Sequence, residues 1–208
     1  MKFFLVCILA VCIFSCKEKA STPASRPKLV NNDSPIIKSD IINPYAPVDV
    51  SPMDISYFPV DYPIESMYGR IPEPLVARVI YSRPHRQGRT VFGGLLKFGE
   101  PWRLGANEAT EIEFFVPVTI DGRRLNKGRY TMYVIPFDGR WTIVFNSNLD
   151  VWGLTPNPSK DVLKVDVNVE VTSQHVEYFS MVFQDAAKGA DLIMAWDTIV
   201  AKLPIEIN

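Results

Sequence analysis

Residues 161–172 carry the strongest folding constraint in the chain. Leu163, Val165, Val167, Val169 and Val171 alternate with Lys164, Asp166, Asn168 and Glu170. In an extended backbone successive side chains point to opposite faces, so this pattern sets one face in a core and the other in water. A helix would scatter the same residues around its circumference. Less regular runs of the same period fall at 75–82, 111–120, 129–136, 141–146, 175–184, 191–197 and 199–207. Asp121-Gly122 and Asp138-Gly139 stand between such runs, where tight hairpins need positive φ angles. Short helical turns are expected only near 92–98 and 107–110. The expectation is an all-β fold: an antiparallel, jelly-roll-like β-sandwich of about nine strands, with a small barrel as the alternative.

The N-terminus obeys other rules. Lys2 precedes an apolar run of 12 residues, Phe3 to Phe14, and Ser15-Cys16-Lys17-Glu18-Lys19 follows. A membrane-spanning helix needs about 20 apolar residues, so this layout predicts a secretory signal over residues 1–15. Ile13-Phe14-Ser15-Cys16 resembles a lipobox, which predicts a diacylglycerol on Cys16 and a lipid bilayer as partner. Lys17 after the cysteine, in place of aspartate, makes the outer membrane the expected location within the cell envelope. Cys7 and Cys12 would leave with the signal, excluding a disulfide, a cysteine-ligated zinc and a cysteine nucleophile from the mature domain.

Ten of the 17 prolines fall between Lys17 and Pro74. Residues 16–50 therefore read as the lipidated cysteine and a stiff tether, and 51–208 as the β domain. Ile55, Tyr57, Phe58, Val60, Tyr62, Ile64, Met67 and Tyr68 are too apolar to belong to the tether. That stretch is expected to pack on the domain as an edge strand and a loop. The formal net charge of −1 supplies no basic surplus for nucleic acid.

One region breaks the strand rhythm. Five of the 11 glycines lie between Gly88 and Gly105, with Arg83, His85, Arg86, Arg89 and Arg103 nearby. Loops on a rigid sheet are where binding groups concentrate. The string Tyr81-Ser82-Arg83-Pro84, Gly88-Arg89, Phe92-Gly93-Gly94, Gly99-Glu100, Trp102-Arg103, Gly105-Ala106-Asn107-Glu108-Ala109-Thr110 and, later, Trp141-Thr142 and Trp152-Gly153 resembles the bacterial domain-of-unknown-function family 2911. The resemblance covers roughly residues 51–207. It implies an exported, β-rich protein and assigns no activity. The proline- and tyrosine-rich stretch between Tyr57 and Glu73 departs from the family pattern.

Arg83, Trp102, Arg103, Asn107, Glu108 and Trp152 are the ligand-binding candidates of this region. Asn107 and Glu108, with the arginines, offer hydrogen bonds to sugar hydroxyls; their plainer role is to cap and pin a loop. The arginines suit a carboxylate or phosphate, or equally a pairing with Glu100, Glu108 or Glu111. Glu108 and Glu100 are the two carboxylates available for glycoside hydrolysis, which requires them to face each other across about 5–9.5 Å. With two histidines, His85 and His175, and no mature cysteine beyond Cys16, a zinc hydrolase lacks ligands. No metal or cofactor is therefore expected. A triad of Ser82, His85 and Glu108 lacks the nucleophile elbow. Two readings follow: an envelope lipoprotein binding a glycan, small molecule or envelope protein, or a carbohydrate-active hydrolase built on Glu108 and Glu100.

Overall fold

The computed structural model describes residues 49–70 and 74–207; the signal, Cys16 and nearly all of the tether lie outside them. Among the described residues nine strands run in chain order: β1 (Met53–Phe58), β2 (Ala77–Ser82), β3 (Thr110–Phe114), β4 (Val118–Ile120), β5 (Arg123–Leu125), β6 (Gly128–Phe137), β7 (Arg140–Asn146), β8 (Asp161–Ala186) and β9 (Gly189–Ile207). All neighbours pair antiparallel, in the spatial order β1-β2-β3-β6-β7-β8-β9-β4-β5. The period-two pattern thus reports an all-β antiparallel fold.

The two walls of the expected sandwich are stretches of one sheet, and β8 is the reason. Its first part, from Asp161 to Asn168, pairs with β7, and from Val169 onward it pairs with β9. Register shifts between Val171, Val176 and Ser180 let this 26-residue strand bend from one wall to the other. The walls then face each other. Tyr81 of β2 meets Phe179 of β8 edge to face at 5.7 Å, and Phe58 of β1 meets Phe183 at 6.1 Å, although neither strand neighbours β8 in the sheet.

Leu163, Val165 and Val167 are buried and Lys164, Asp166 and Asn168 exposed, as the alternation requires. Val171 departs from it at 76% exposure, because the bulged stretch that follows carries β8 away from the core. The run 111–120 is likewise two strands. β3 ends at Phe114 and β4 begins at Val118, and the two occupy distant positions in the sheet. The runs 161–172 and 175–184 are one strand, as are 191–197 and 199–207.

Asp121 and Gly122 both hold positive φ, 51° and 68°, in the two-residue β4–β5 hairpin. In the β6–β7 turn only Gly139 does, at 73°. β1 lies at a sheet edge, where the apolar 53–58 segment was expected. It leads into a short helix, α1 (Tyr62–Met67), where a loop packed on the domain was expected; none of its residues is buried, and Pro63 occupies its first turn, where the missing N–H costs nothing. Among the described residues the buried core runs from Phe58 to Ile205, inside the unit Lys38–Asn208, so this part of the chain carries its own core.

Candidate functional site

The chain between β2 and β3 spans 27 residues, 83–109, and two β-bridges staple it to the sheet. The first staple is to β8. Arg86 N donates to Glu177 O at 2.8 Å and Phe179 N to Pro84 O at 3.0 Å, bracketing a bridge between His85 and Tyr178. The His85 and Tyr178 rings stack at 4.4 Å. The second staple is to β6, where Trp102 and Val134 exchange both backbone hydrogen bonds, at 2.7 and 2.8 Å. These staples make a long loop a fixed wall rather than a loose flap.

The second staple also sends Trp102 inward. Its ring is 8% exposed and packs against Phe92, Trp141, Phe179 and Trp196, with the Trp196 ring 5.4 Å away and nearly parallel. Its indole N–H donates to Gly105 O at 3.0 Å.

Ion pairs lock the first staple. Asp197 of β9 is buried, holds a positive φ of 54°, and accepts from Val91 N at 3.2 Å. His175 Nδ1 lies 2.6 Å from Asp197 Oδ1, and Arg86 Nε lies 2.9 Å from the same oxygen without hydrogen-bond geometry. Burial pushes the Asp197 carboxyl up, but the His175 and Val91 hydrogen bonds and the Arg86 charge outweigh it and hold the pKa below the ordinary value. Glu177 completes the group, 2.8 Å from His85 Nε2 and accepting from Gln87 N at 3.0 Å.

Between the stapled loop and residues 153–154 lies an open cleft of about 520 Å³. Trp102, Trp196, Leu96 and Pro101 supply its apolar lining, and His85, Arg89, Lys97, Glu100 and Arg103 its polar lining. Val50 and Ser51 form part of the wall. A second cleft of about 440 Å³ is lined by Met53, Ile80, Glu108, Ala109, Glu111, Asp150, Val151 and Trp152.

The sequence-derived candidates are therefore divided. Trp102, Arg103 and Glu100 line the first cleft, and Glu108 and Trp152 the second. Glu100 and Glu108 line different clefts, whereas a glycosidase sets its two carboxylates across one. Arg83 lines neither; it ion-pairs with Asp54 at 3.2 Å and donates to Phe179 O and Ser180 Oγ, tying β1 and β2 to β8. Asn107, at φ 58°, donates to Asp49 Oδ2 at 2.6 Å and to Ser51 O at 3.4 Å. It secures the wall segment that contains Val50. Trp152 is 53% exposed, with the Arg103 guanidinium 5.8 Å from its ring centre.

Among the described residues no arginine forms a salt bridge with Glu100 or Glu108, although Glu108 acts on Arg103 from farther off, and Glu111 pairs with Arg129. Trp196 and Leu96 carry no sequence signal for the cleft, since each reads as an ordinary core residue. Among the described residues, no cluster of three or more His, Cys, Asp or Glu side chains could hold a metal ion.

Gly153 explains why two distant parts of the sequence pattern occur together. Its φ is 80°, and a Cβ there would lie 2.8 Å from Ala109 Cβ. Ala109 N donates to Val151 O at 3.1 Å, so the Asn-Glu-Ala-Thr loop and the Trp-Gly loop are pressed together. Only a residue without a side chain fits that approach.

Fold and site together define a class: a one-sheet, all-β domain whose long stapled loop walls an open cleft. The chain belongs to the family described as protein of unknown function (DUF2911), whose model matches residues 65–205. No curated protein and no solved structure matches the chain.

Proposed function

We propose that this protein is an envelope lipoprotein, held by an acylated Cys16, whose β domain binds a ligand in the 520 Å³ cleft. The observation that carries the binding reading is the cleft itself, an aromatic floor with a few convergent polar groups and a wall fixed by two staples. Pockets of roughly 300–1,000 Å³ with such a lining are the usual seat of small ligands. The separation of Glu100 from Glu108 favours binding over glycoside hydrolysis. An outer-membrane location, and a glycan, small molecule or envelope protein as the ligand, belong to the same reading.

The test of binding is a glycan-array and thermal-shift screen on the wild type and on Ala106→Trp, which fills the cleft from its wall. A ligand whose response disappears in Ala106→Trp supports the reading. Responses equal in both proteins, or none in either, would sink it. Anchoring is tested separately by metabolic lipid labelling. Label is expected on the wild type and not on Cys16→Ala.

A further inference from the structure

The polar groups of the first cleft are unbalanced toward donors. Lys97 has a carboxylate partner, Glu100, at 3.8 Å, and His85 has Glu177. Arg89 and Arg103 have none among the described residues. Arg89 spends Nε and one amino nitrogen on the carbonyls of Arg86 and His85, at 2.9 and 2.6 Å. These bonds orient the guanidinium but leave its charge uncancelled. Arg103 has one long contact, 3.5 Å to Trp152 O, and its Nε is buried without an acceptor. At the floor, the Trp196 indole N–H is also buried without an acceptor. Burial lowers the pKa of Arg103, and the Glu108 carboxylate, beyond ion-pair distance, only partly offsets it, which marks a charge held partly out of water.

Unpaired buried donors are costly, and native structures satisfy nearly all of them. Arg103, partly buried with Glu108 acting on it only beyond ion-pair distance, and Arg89, exposed at the mouth, are the two guanidinium groups of this cleft without a salt bridge among the described residues, and together they form the donor half of an oxyanion site. The rest of the lining limits the ligand's body. Trp102, Trp196 and Leu96 are apolar, and Leu95 and Leu154 at the rim are 46% and 70% exposed.

Building on the cleft-binding reading, we infer that the cleft takes an amphiphilic anion. Its carboxylate, sulfonate or phosphate head is held by Arg103 and Arg89, and its apolar body lies against Leu95, Leu96 and Leu154. Neutral oligosaccharides leave the two guanidinium groups uncompensated and bind more weakly.

The test uses the chain from Lys17 onward, which retains the whole unit with its own core. Two fluorescent probes share an aromatic body and differ in charge: anilinonaphthalene sulfonate carries a sulfonate, and N-phenylnaphthylamine is neutral. The wild type is expected to bind the anionic probe at least about tenfold more tightly, the scale of a charge-assisted hydrogen bond. Arg89→Gln/Arg103→Gln brings the two affinities together by weakening only the anionic probe, while Lys127→Gln, on an exposed position, keeps the difference. Octanoate and octyl phosphate compete for the same site, and their ranking tells which head group it prefers. Displacement by neither overturns the inference. Equal binding of both probes, lost in Ala106→Trp, would leave the cleft reading intact and overturn the anion. Binding of both probes indifferent to Ala106→Trp, or of neither, would overturn both. Thermal melts of each variant establish that it is folded.

Discussion

His175 Nδ1 sits 2.6 Å from Asp197 Oδ1, joining the bulged middle of β8 to the one buried aspartate of β9. The same carboxylate faces Arg86 and accepts from Val91 N, so it fastens the loop wall of the cleft to the sheet. Its pKa is depressed in the fold. The stabilisation it contributes is therefore complete above the unfolded value of about 3.9 and is lost as pH falls through the lower folded value. Melting temperatures of the wild type should decline through this acid window. Asp197→Asn should flatten that part of the decline and lower stability at neutral pH by about 1–3 kcal/mol, since it weakens the charge-assisted contacts of the carboxylate while Arg86 keeps Glu177, 3.7 Å away. Coincident acid limbs for the two proteins would refute the assignment.

Trp102 and Trp152 both come from loops of the sequence motif, and their burial predicts opposite consequences. Trp102→Ala empties a cluster of five aromatic rings and should cost about 3–5 kcal/mol in denaturant unfolding. Trp152→Ala removes a half-exposed ring and should cost less than about 1 kcal/mol. Similar losses for both would mean that the second staple does not carry Trp102 into the core.

Asn107 combines a positive φ with a side chain tied to Asp49 and Ser51. Asn107→Gly preserves the backbone conformation and removes the tie, so global stability should fall by only about 1 kcal/mol. Amide hydrogen exchange should accelerate selectively at residues 49–51, which include Val50 and Ser51 of the cleft wall. Exchange unchanged there would show that the segment is held by other contacts.

Tyr81 illustrates an alkaline counterpart. Burial first, then the nearby Asp54 carboxylate, raise its phenol to about 12, while the Met181 backbone and Arg83 pull it back. A raised folded pKa means stabilisation present below the unfolded value of about 10 and lost as pH climbs past it. Phenolate absorbance should show a fraction of the eight tyrosines ionising late, and Tyr81→Phe should remove one phenol from that fraction. A single transition near pH 10 for all of them would contradict the buried environment.

The legible part of the fold was local. Side-chain alternation in residues 163–168 survives residue by residue in the structure, because a strand's two faces differ only in whether they meet water. Asp121-Gly122 marks a hairpin because few other residue pairs adopt its two positive φ angles. The Trp102–Thr110 string and Trp152-Gly153 were recognisable as a family pattern, and their proximity makes physical sense once Gly153 is seen against Ala109.

Alternation names a strand's faces but not its partners, so it could not distinguish two sheets from one bent by a long β8. Nor could it show that Val171 leaves the core, or that 111–120 divides between opposite regions of the sheet. The site followed the same rule. Arg83 finds Asp54 and the backbone of Phe179, 29 and 96 residues away, and so has no charge to offer the cleft. Glu100 and Glu108, eight positions apart, line different clefts, while Trp196, almost a hundred residues from Trp102, floors the same one. Sequence alone determined the antiparallel β class, the Asp121-Gly122 hairpin and the family, because each depends on neighbouring residues. Which donors stay unpaired depends on contacts between distant segments, so only the tertiary structure decided where Arg89, Arg103 and Trp196 meet.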